Sequence, residues 1–287
     1  MIDRRLFLKV TAGTAVGGLL HLGCSEGTAD DEMVPVAPAR SLDRIGVQLY
    51  TVRTLMEQDF AGTLQAVADA GYDEVEFAGY FDHEPEEVRA ILERTGLAAP
   101  ATHVSIDALR EDSAAAIAHA KAVGHRYIIA PWLAVEERGS IDDYRRLAAL
   151  FNDIGQACRD EGLRFGWHNH EFEFEETDGE IPFDVLLDET DPELVVFELD
   201  LFWTVVGGHD PLDYFERYPG RFPLCHVKDR AEDGTMVDVG AGGIDFAGIF
   251  ARAEQAGLEH FFVEHDEPAD PIASITASHD YLAALTY

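Results

Sequence analysis

Ionisable side chains close several short β-rich runs of this sequence, at positions where a buried strand normally ends in an apolar residue. Four successive runs carry such residues: His168, Asp200 and Glu264 end three of them, and His226 lies two residues before the end of the fourth. Burying such groups costs several kcal/mol unless they are paired or bind a metal. A set of His, Asp, His and Glu suits Mn²⁺, Zn²⁺, Co²⁺ or Fe²⁺, and an oxygen-rich variant admits Mg²⁺. Because neither an H-E-x-x-H motif nor a cysteine-based zinc spacing is present, the sequence predicts a divalent metal site assembled in space.

The same residues also have purely structural interpretations. Asp200 could cap the next helix, and Glu264 could pair with an arginine. His168 and His170 could be hydrogen-bonded histidines at a strand end, although their grouping with other ionisable residues favours a functional site. Glu76 has two acidic neighbours in the sequence and could instead lie on a solvated surface.

The segments that must position these residues alternate between strand and helix. Two amphipathic helices are predicted at 60–68, ending before Gly71, and at 142–158. Pro182 and Pro271 stand where further helices could begin. Eight strand–helix units favour an α/β protein with a single (β/α)8 TIM barrel over an open sheet, and no G-x-G-x-x-G loop follows the first run. The eight β-rich runs are 45–50, 74–77, 98–103, 127–130, 164–168, 194–200, 223–228 and 260–264.

Function in a barrel of this kind lies at the carboxyl ends of the strands. Besides the four metal-ligand candidates, those ends carry Gln48, Glu76, His103, His170 and Lys228. The last is one of only three lysines in a chain whose positive charge comes mostly from arginine. Since arginine cannot readily give up a proton, a lysine at this position indicates a role that uses one.

The first 24 residues have the pattern of an export signal. A basic start is followed by an uncharged apolar stretch at 10–20 that is too short for an ordinary transmembrane helix, and the paired arginines resemble a twin-arginine signal. Cys24 resembles the cysteine of a bacterial lipobox, but His21 departs from the usual aliphatic residue, so lipidation and simple cleavage nearby both stay open. We predict a linker at 25–41, a barrel domain at 42–287, and a periplasmic or cell-surface location.

The charge balance excludes several partners. With 55 acidic and 21 basic residues the net charge is −34, which would repel a phosphate backbone and anionic lipid. We therefore expect no nucleic-acid partner, and membrane contact only through a lipid at Cys24. The sequence leaves the oligomeric state open.

Five segments together resemble the sugar phosphate isomerase/epimerase family, which has the xylose isomerase-like TIM barrel. The resemblance covers residues 41–287 and implies one divalent metal held from strands five to eight, with direct matches at Asp200, His226 and Glu264. Many epimerases of the family carry glutamate where this chain has His168, so the fourth ligand stays open among His168, His170 and Glu171. A related His-x-His occurs in the branch that resembles inosose dehydratases and keto-sugar lyases. The segments are IGVQLY at 45–50, YDEVEF at 72–77, WHNHEFEF at 167–174, ELD at 198–200 and HVKD at 226–229.

The resemblance implies proton abstraction next to a carbonyl, because a metal that chelates a carbonyl and a hydroxyl acidifies the intervening C–H bond. The candidate bases and acids are Glu264, Glu76, His103 and Lys228, in no fixed order. The predicted substrate-binding residues are Gln48, His170 and Trp203, with Trp203 stacking on a sugar face.

We expect an exported isomerase or epimerase of a ketose or keto-sugar, with a neutral sugar favoured over a sugar phosphate. Elimination from a 3-keto-glycoside or an inosose-like substrate, by a dehydratase or lyase, is the alternative within the same chemistry. A non-catalytic sugar-binding lipoprotein is the alternative of another class. A repair endonuclease of the same superfamily is disfavoured by the acidic composition.

Overall fold

Eight parallel strands close into a barrel in the computed structural model, which describes residues 39–287. Each strand pairs with its neighbours in the sequence, and the first pairs with the last. The predicted TIM barrel is confirmed, and the predicted strands differ from the observed ones by a residue or two at some ends. The strands are β1 Gly46–Gln48, β2 Glu74–Phe77, β3 Ala98–His103, β4 Tyr127–Ala130, β5 Arg164–His168, β6 Val195–Asp200, β7 Leu224–Val227 and β8 His260–Val263.

Helices follow the strands and cover the outside of the barrel. Short 3-10 helices at Leu49–Val52, Val135–Glu137 and Glu171–Phe174 lie in the loops after β1, β4 and β5, and a two-stranded ladder joins Asp229–Arg230 to Met236–Val237. The α-helices are α1 Arg53–Met56, α2 Phe60–Asp69, α3 Pro85–Thr95, α4 Ile106–Val123, α5 Ile141–Asp160, α6 Pro182–Glu189, α7 Leu201–Val206, α8 Pro211–Arg217, α9 Phe246–Phe250, α10 Ala253–Ala256 and α11 Pro271–Ala284.

The helix ends follow the local sequence signals. Helices α6 and α11 begin at Pro182 and Pro271, because proline presets the backbone angle of a first helical turn and has no N–H to leave unpaired. Gly71 follows α2 with φ of 102°, a left-handed conformation that glycine adopts without strain. The helices predicted at 60–68 and 142–158 are observed as α2 and α5.

The barrel interior changes from apolar to polar between the middle of the strands and their carboxyl ends. Glycines on β1 and β5 leave room for the apolar part: a Cβ at Gly46 would lie 2.4 Å from the Phe262 ring, and one at Gly166 would lie 2.7 Å from Ile129. Further along the strands the buried side chains are polar, and this layer holds the candidate site. The apolar interior consists of Ala101, Tyr127, Ile129, Val196, Leu224 and Phe262.

Residues 39–287 form one compact unit whose ends meet, since the backbones of Arg40 and Tyr287 exchange hydrogen bonds of 2.8 and 2.9 Å. Within this range no helix is long and apolar enough to cross a membrane. Cys158 and Cys225 are buried free thiols. The predicted export signal, Cys24 and most of the predicted linker lie outside the described residues.

Candidate metal centre

The carboxyl ends of β5 to β8 bring the four predicted metal ligands together. Nε2 of His168 lies 3.1 Å from Oδ2 of Asp200, and Nδ1 of His226 lies 2.8 Å from Oε2 of Glu264 and 3.7 Å from Oδ2 of Asp200. One donor atom from each of the four residues lies within 4.8 Å of all the others. All four side chains are buried, and Glu264 is the most exposed at 5%.

This group fits a divalent cation by its unsatisfied chemistry as well as by its donor types. Nδ1 of His226 has no hydrogen-bond partner, because its short contact with Glu264 lacks hydrogen-bond geometry. A buried nitrogen without a partner is costly unless something else uses its lone pair. Of the three residues left open for the strand-five ligand, the structure places His168 in the group, whereas His170 and Glu171 line the cavity beside it.

Asp200 serves the fold and the site with different oxygens. Its Oδ1 accepts a hydrogen bond of 2.8 Å from the backbone N–H of Trp203 and caps α7, while Oδ2 faces His168. Its own backbone N–H donates to Oδ1 of Asn169 at 3.0 Å. The structural interpretation of Asp200 and its predicted ligand role are therefore compatible.

Lys228 is the positive charge of the candidate centre. Its ammonium lies 3.1 Å from Asp200, 2.7 Å from Glu264 and 2.9 Å from Asp266, with 1% of the residue exposed. Burial lowers the pKa of Lys228, but the carboxylates of Asp200 and Glu264 outweigh it and raise the pKa well above its usual range. Glu264 therefore pairs with this lysine, and the arginine partner considered for it is not observed.

A second polar group lies deeper in the barrel and contacts the other face of His226. Nε2 of His226 lies 2.8 Å from Glu76 and 3.2 Å from Glu198, and Nε2 of His103 lies 3.2 and 3.1 Å from the same two carboxylates. The amide of Gln48 donates to Glu76 at 2.8 Å. Glu76 and Glu198 are fully buried, so the solvated-surface interpretation of Glu76 is wrong.

Glu198 was not predicted as a site residue, although a signal for it exists in the sequence. It stands two positions before Asp200 on β6, and alternate residues of a strand point to the same face. An inward-pointing Asp200 therefore implies an inward-pointing Glu198.

The electrostatics of the two groups favour charged carboxylates facing cationic partners. Burial alone would raise the pKa of Asp200, but the nearby Lys228 and His168 outweigh it and hold the pKa well below its usual value. Burial is likewise outweighed at Glu264, where Lys228 and His226 hold the pKa well below its usual value. Burial lowers the pKa of His103, but Glu76 and Glu198 outweigh it and raise the pKa to about 9. The acids that would hold a cation are thus ionised at neutral pH.

An open cavity of about 790 Å³ reaches the candidate centre. Gln48, Glu76 and Glu198 lie below it and do not line it, whereas the predicted substrate-binding residues His170 and Trp203 do. A larger cavity of about 980 Å³, between the start of α8 and α9, contains none of the predicted site residues. The site residues that line the 790 Å³ cavity are His103, His168, His170, Trp203, Lys228 and Glu264.

Comparison with known proteins agrees with this architecture. A family model described as xylose isomerase-like TIM barrel matches residues 64–285. An inosose dehydratase from Geobacillus kaustophilus is 26% identical over 250 residues, which is 73% of this chain and 80% of the relative. An inosose dehydratase from Lacticaseibacillus casei is 27% identical over 165 residues, covering 50% of this chain and 55% of the relative, so the match spans about half of each. A crystal structure of a sugar phosphate isomerase/epimerase from Parabacteroides distasonis ATCC 8503 is 28% identical with a TM-score of 0.74, covering 84% of this chain and 98% of that one.

Proposed function

The chain belongs to the xylose isomerase-like TIM barrel family, and within it we propose that it is a divalent-metal-dependent enzyme that isomerises or epimerises a ketose or keto-sugar. The observation that carries the proposal is the convergence of His168, Asp200, His226 and Glu264 beside an open cavity, which His168 and Glu264 line. A binding protein without catalysis would have no need of a complete ligand set beside ionised acids and a buried lysine.

His168, Asp200, His226 and Glu264 would hold the metal. A bound divalent cation polarises a substrate carbonyl and a neighbouring hydroxyl, and so makes the C–H bond between them acidic. Asp200 is fixed for this role by its cap on α7, and His226 by its contacts with Glu76 and Glu198. A carboxylate beside the second nitrogen of a ligating histidine fixes the ring and raises its basicity.

Glu264 is the residue we assign to proton abstraction. It lines the cavity, it is the most exposed of the four ligand candidates, and Lys228 and His226 keep it ionised. The Lys228 ammonium also lines the cavity, where it stabilises negative charge on a substrate oxygen, and His103 can hold or deliver a proton from the far side. We assign Gln48 and Glu76 to positioning His103 and His226, because they contact these rings and lie outside both the group of four metal-ligand candidates and the cavity lining.

The substrate we propose is neutral. Glu171, Glu264, Asp266 and Glu267 line the cavity and Lys228 is the one lysine or arginine among its described lining residues. A phosphate group would meet more negative than positive charge there. Hydroxyl and carbonyl oxygens are therefore better matched to this cavity than a sugar phosphate.

Elimination of water is the second candidate. Both reactions start with the same proton abstraction, and elimination follows when the β-oxygen leaves before a proton returns to carbon. The relatives from G. kaustophilus and L. casei that are named inosose dehydratase support this branch. The isomerase/epimerase structure from P. distasonis supports the first.

Solvent exchange tests the shared step. The metal-loaded protein is incubated in D₂O with a panel of ketoses, keto-sugars and inososes, and the products are read by NMR. Deuterium at a carbon next to a carbonyl supports the proposal, an isomer or epimer identifies the first branch, and an unsaturated ketone identifies the second. Full activity of His226→Ala, or neither deuterium uptake nor an isomerised, epimerised or unsaturated product from any substrate, would overturn the assignment.

We also propose that the protein is exported, on the basis of the paired arginines and the apolar stretch at 10–20. Fusion of residues 1–41 to a reporter that functions only outside the cytoplasm tests this, with Arg4→Lys/Arg5→Lys as the matched variant. Reporter activity that survives the double substitution would contradict a twin-arginine signal.

A further inference from the structure

Two aromatic rings lie at the rim of the 790 Å³ cavity and are exposed to solvent. Trp132 is 47% exposed and Tyr50 is 42% exposed, and both line the cavity. Among the described residues only four large hydrophobic side chains are exposed, the others being Val135 and Val206. Half of this exposed set is therefore at one opening, and the proposed chemistry at the metal centre uses neither ring.

Trp132 is held in one orientation despite its exposure. The Arg138 guanidinium lies 4.3 Å from the ring centroid, and the rings of His170 and Phe172 pack edge-to-face at 4.7 and 5.4 Å. Arg138 is itself fixed, since its Nε donates to the backbone carbonyl of Leu133 at 2.8 Å. Because Arg138 does not line the cavity and Trp132 does, the ring presents a surface to the cavity that the guanidinium leaves free.

The position of Trp132 relative to the metal centre sets the size of the ligand that could reach both. The His168 and His170 rings are 4.7 Å apart, and the His170 and Trp132 rings are also 4.7 Å apart. The His170 ring thus contacts both the ligand candidate His168 and Trp132. A single sugar chelated at the centre would fill the inner part of the cavity, and Trp132 lies where a second ring would follow.

The cavity lining also offers polar partners for a sugar, and its described residues add no positive charge beyond that of Lys228. The carboxylates of Glu171, Asp266 and Glu267 are among the lining residues. Sugar hydroxyls can donate to carboxylate oxygens, while the apolar C–H face of a pyranose packs on an aromatic ring. This combination of a fixed aromatic face and hydrogen-bond acceptors suits a carbohydrate better than a purely apolar ligand.

We propose that Trp132 is the platform of a second sugar subsite, so that the substrate is a neutral disaccharide or glycoside with its keto-sugar ring at the metal centre and its second ring on Trp132. This inference rests on the proposed function, which places the first ring. It adds the substrate class, since a free monosaccharide would leave the fixed and exposed Trp132 without a partner. A preorganised ring adds affinity because little conformational freedom is lost on binding.

Binding of ketose disaccharides tests the subsite. Binding of D-fructose is compared by calorimetry with binding of turanose, maltulose and isomaltulose, which carry glucose on three different hydroxyls of the same ketose. The metal-loaded wild-type protein, Trp132→Ala, Trp132→Phe and Val206→Ala are each titrated. Val206 is the matched control, because it is exposed and apolar but does not line the cavity.

The expected result is that at least one disaccharide binds the wild-type protein about tenfold more tightly than fructose, which corresponds to about 1.4 kcal/mol. Trp132→Ala should bring that ratio close to one, Trp132→Phe should restore most of it, and Val206→Ala should leave it unchanged. Equal affinities in the wild-type protein, no binding of any disaccharide, or a ratio that survives Trp132→Ala overturns the subsite.

The two proposals fail separately in this design. Deuterium exchange with fructose but no affinity gain for a disaccharide refutes the subsite and leaves the enzymatic proposal intact. A Trp132-dependent affinity gain with neither exchange nor product formation from any substrate supports the subsite and refutes the enzymatic proposal.

Discussion

Replacing Glu198 by glutamine tests whether the deeper polar group controls the candidate metal centre through His226. The carboxylate lies 3.2 Å from Nε2 of His226 and 3.1 Å from Nε2 of His103, and no part of it reaches the cavity. Glutamine keeps the shape and removes the charge. Loss of the carboxylate beside a ligating histidine costs about 10- to 100-fold in metal affinity, which is about 1.4 to 2.7 kcal/mol.

The affinity is measured by competition between the metal-free protein and a chromogenic chelator for Zn²⁺. Asp200→Asn removes a ligand oxygen but keeps an oxygen that can cap α7, so it should lose far more affinity than Glu198→Gln. Glu93→Gln is the matched control, because Glu93 has a side chain that is 75% exposed on α3 and lies outside both polar groups.

Two results would refute this reasoning. An affinity equal to that of Glu93→Gln would mean that Glu198 does not influence His226. A loss as large as that of Asp200→Asn would mean that Glu198 binds the metal itself, together with the group formed by Glu76, His103 and His226.

Three further outcomes are expected. Adding a divalent metal to the metal-free protein, to a free concentration of 100 times its dissociation constant, should stabilise the folded state by about 2.7 kcal/mol. Calorimetry should then show a melting temperature higher by roughly 5–10 °C for the wild-type protein and no such rise for His226→Ala. Phe262→Ala should lower the free energy of unfolding in urea by about 3–5 kcal/mol, because it empties the barrel interior beside Gly46, whereas Val206→Ala should change it by less than about 0.5 kcal/mol. Burial raises the pKa of Glu173 to about 8, although backbone and Trp167 N–H donors oppose the shift. The Glu173 carboxyl therefore keeps its proton in the folded state at pH values above 4.5, where it releases the proton in the unfolded state. The free energy of unfolding consequently falls as the pH rises from about 4.5 to 8. Glu173→Gln should lose that part of the pH dependence. Urea unfolding at several pH values measures this, and a free energy of unfolding that changes with pH equally in the variant and the wild type would contradict it.

The barrel could be predicted from sequence because its strands are short β-rich runs that alternate with helical segments. Predicted and observed strands coincide for Glu74–Phe77, Ala98–His103, Tyr127–Ala130 and Arg164–His168. The four ligand candidates could be found because each stands at or within two residues of the end of a run, where the loop edge of a barrel lies.

The depth of each polar residue could not be predicted in the same way. Gln48 ends β1 and Glu76 is the last residue but one of β2, close to the positions expected of a substrate-binding residue and a catalytic residue, yet both lie below the cavity. Depth depends on the register between strands, which pairs Gln48 with Glu76 and Asp200 with His226. The residues of a single strand do not specify how that strand is aligned with its neighbours.

The acidic partners of Lys228 could not be predicted either, because they depend on how neighbouring strands and loops are aligned. Its three carboxylates come from the end of β6 and from the loop after β8, including Asp266, which carries no strand pattern. A buried lysine is expected to find acidic partners, but the sequence offers 55 acids and no means of choosing among them.

Strand alternation unites the apolar interior, the deeper polar group and the candidate metal centre. On β6, Val196, Glu198 and Asp200 point to one face in turn, from the apolar interior to the level of the ligands. The alternate residues on β7 and just beyond it are Leu224, His226 and Lys228, and the register sets Asp200 level with His226. A slip of one residue in either strand would turn all its inward side chains toward the helices. Alternation in the motifs ELD and HVK therefore places their ionisable residues on the inward face, and the apolar residue two positions before each motif's first inward side chain lies on that same face.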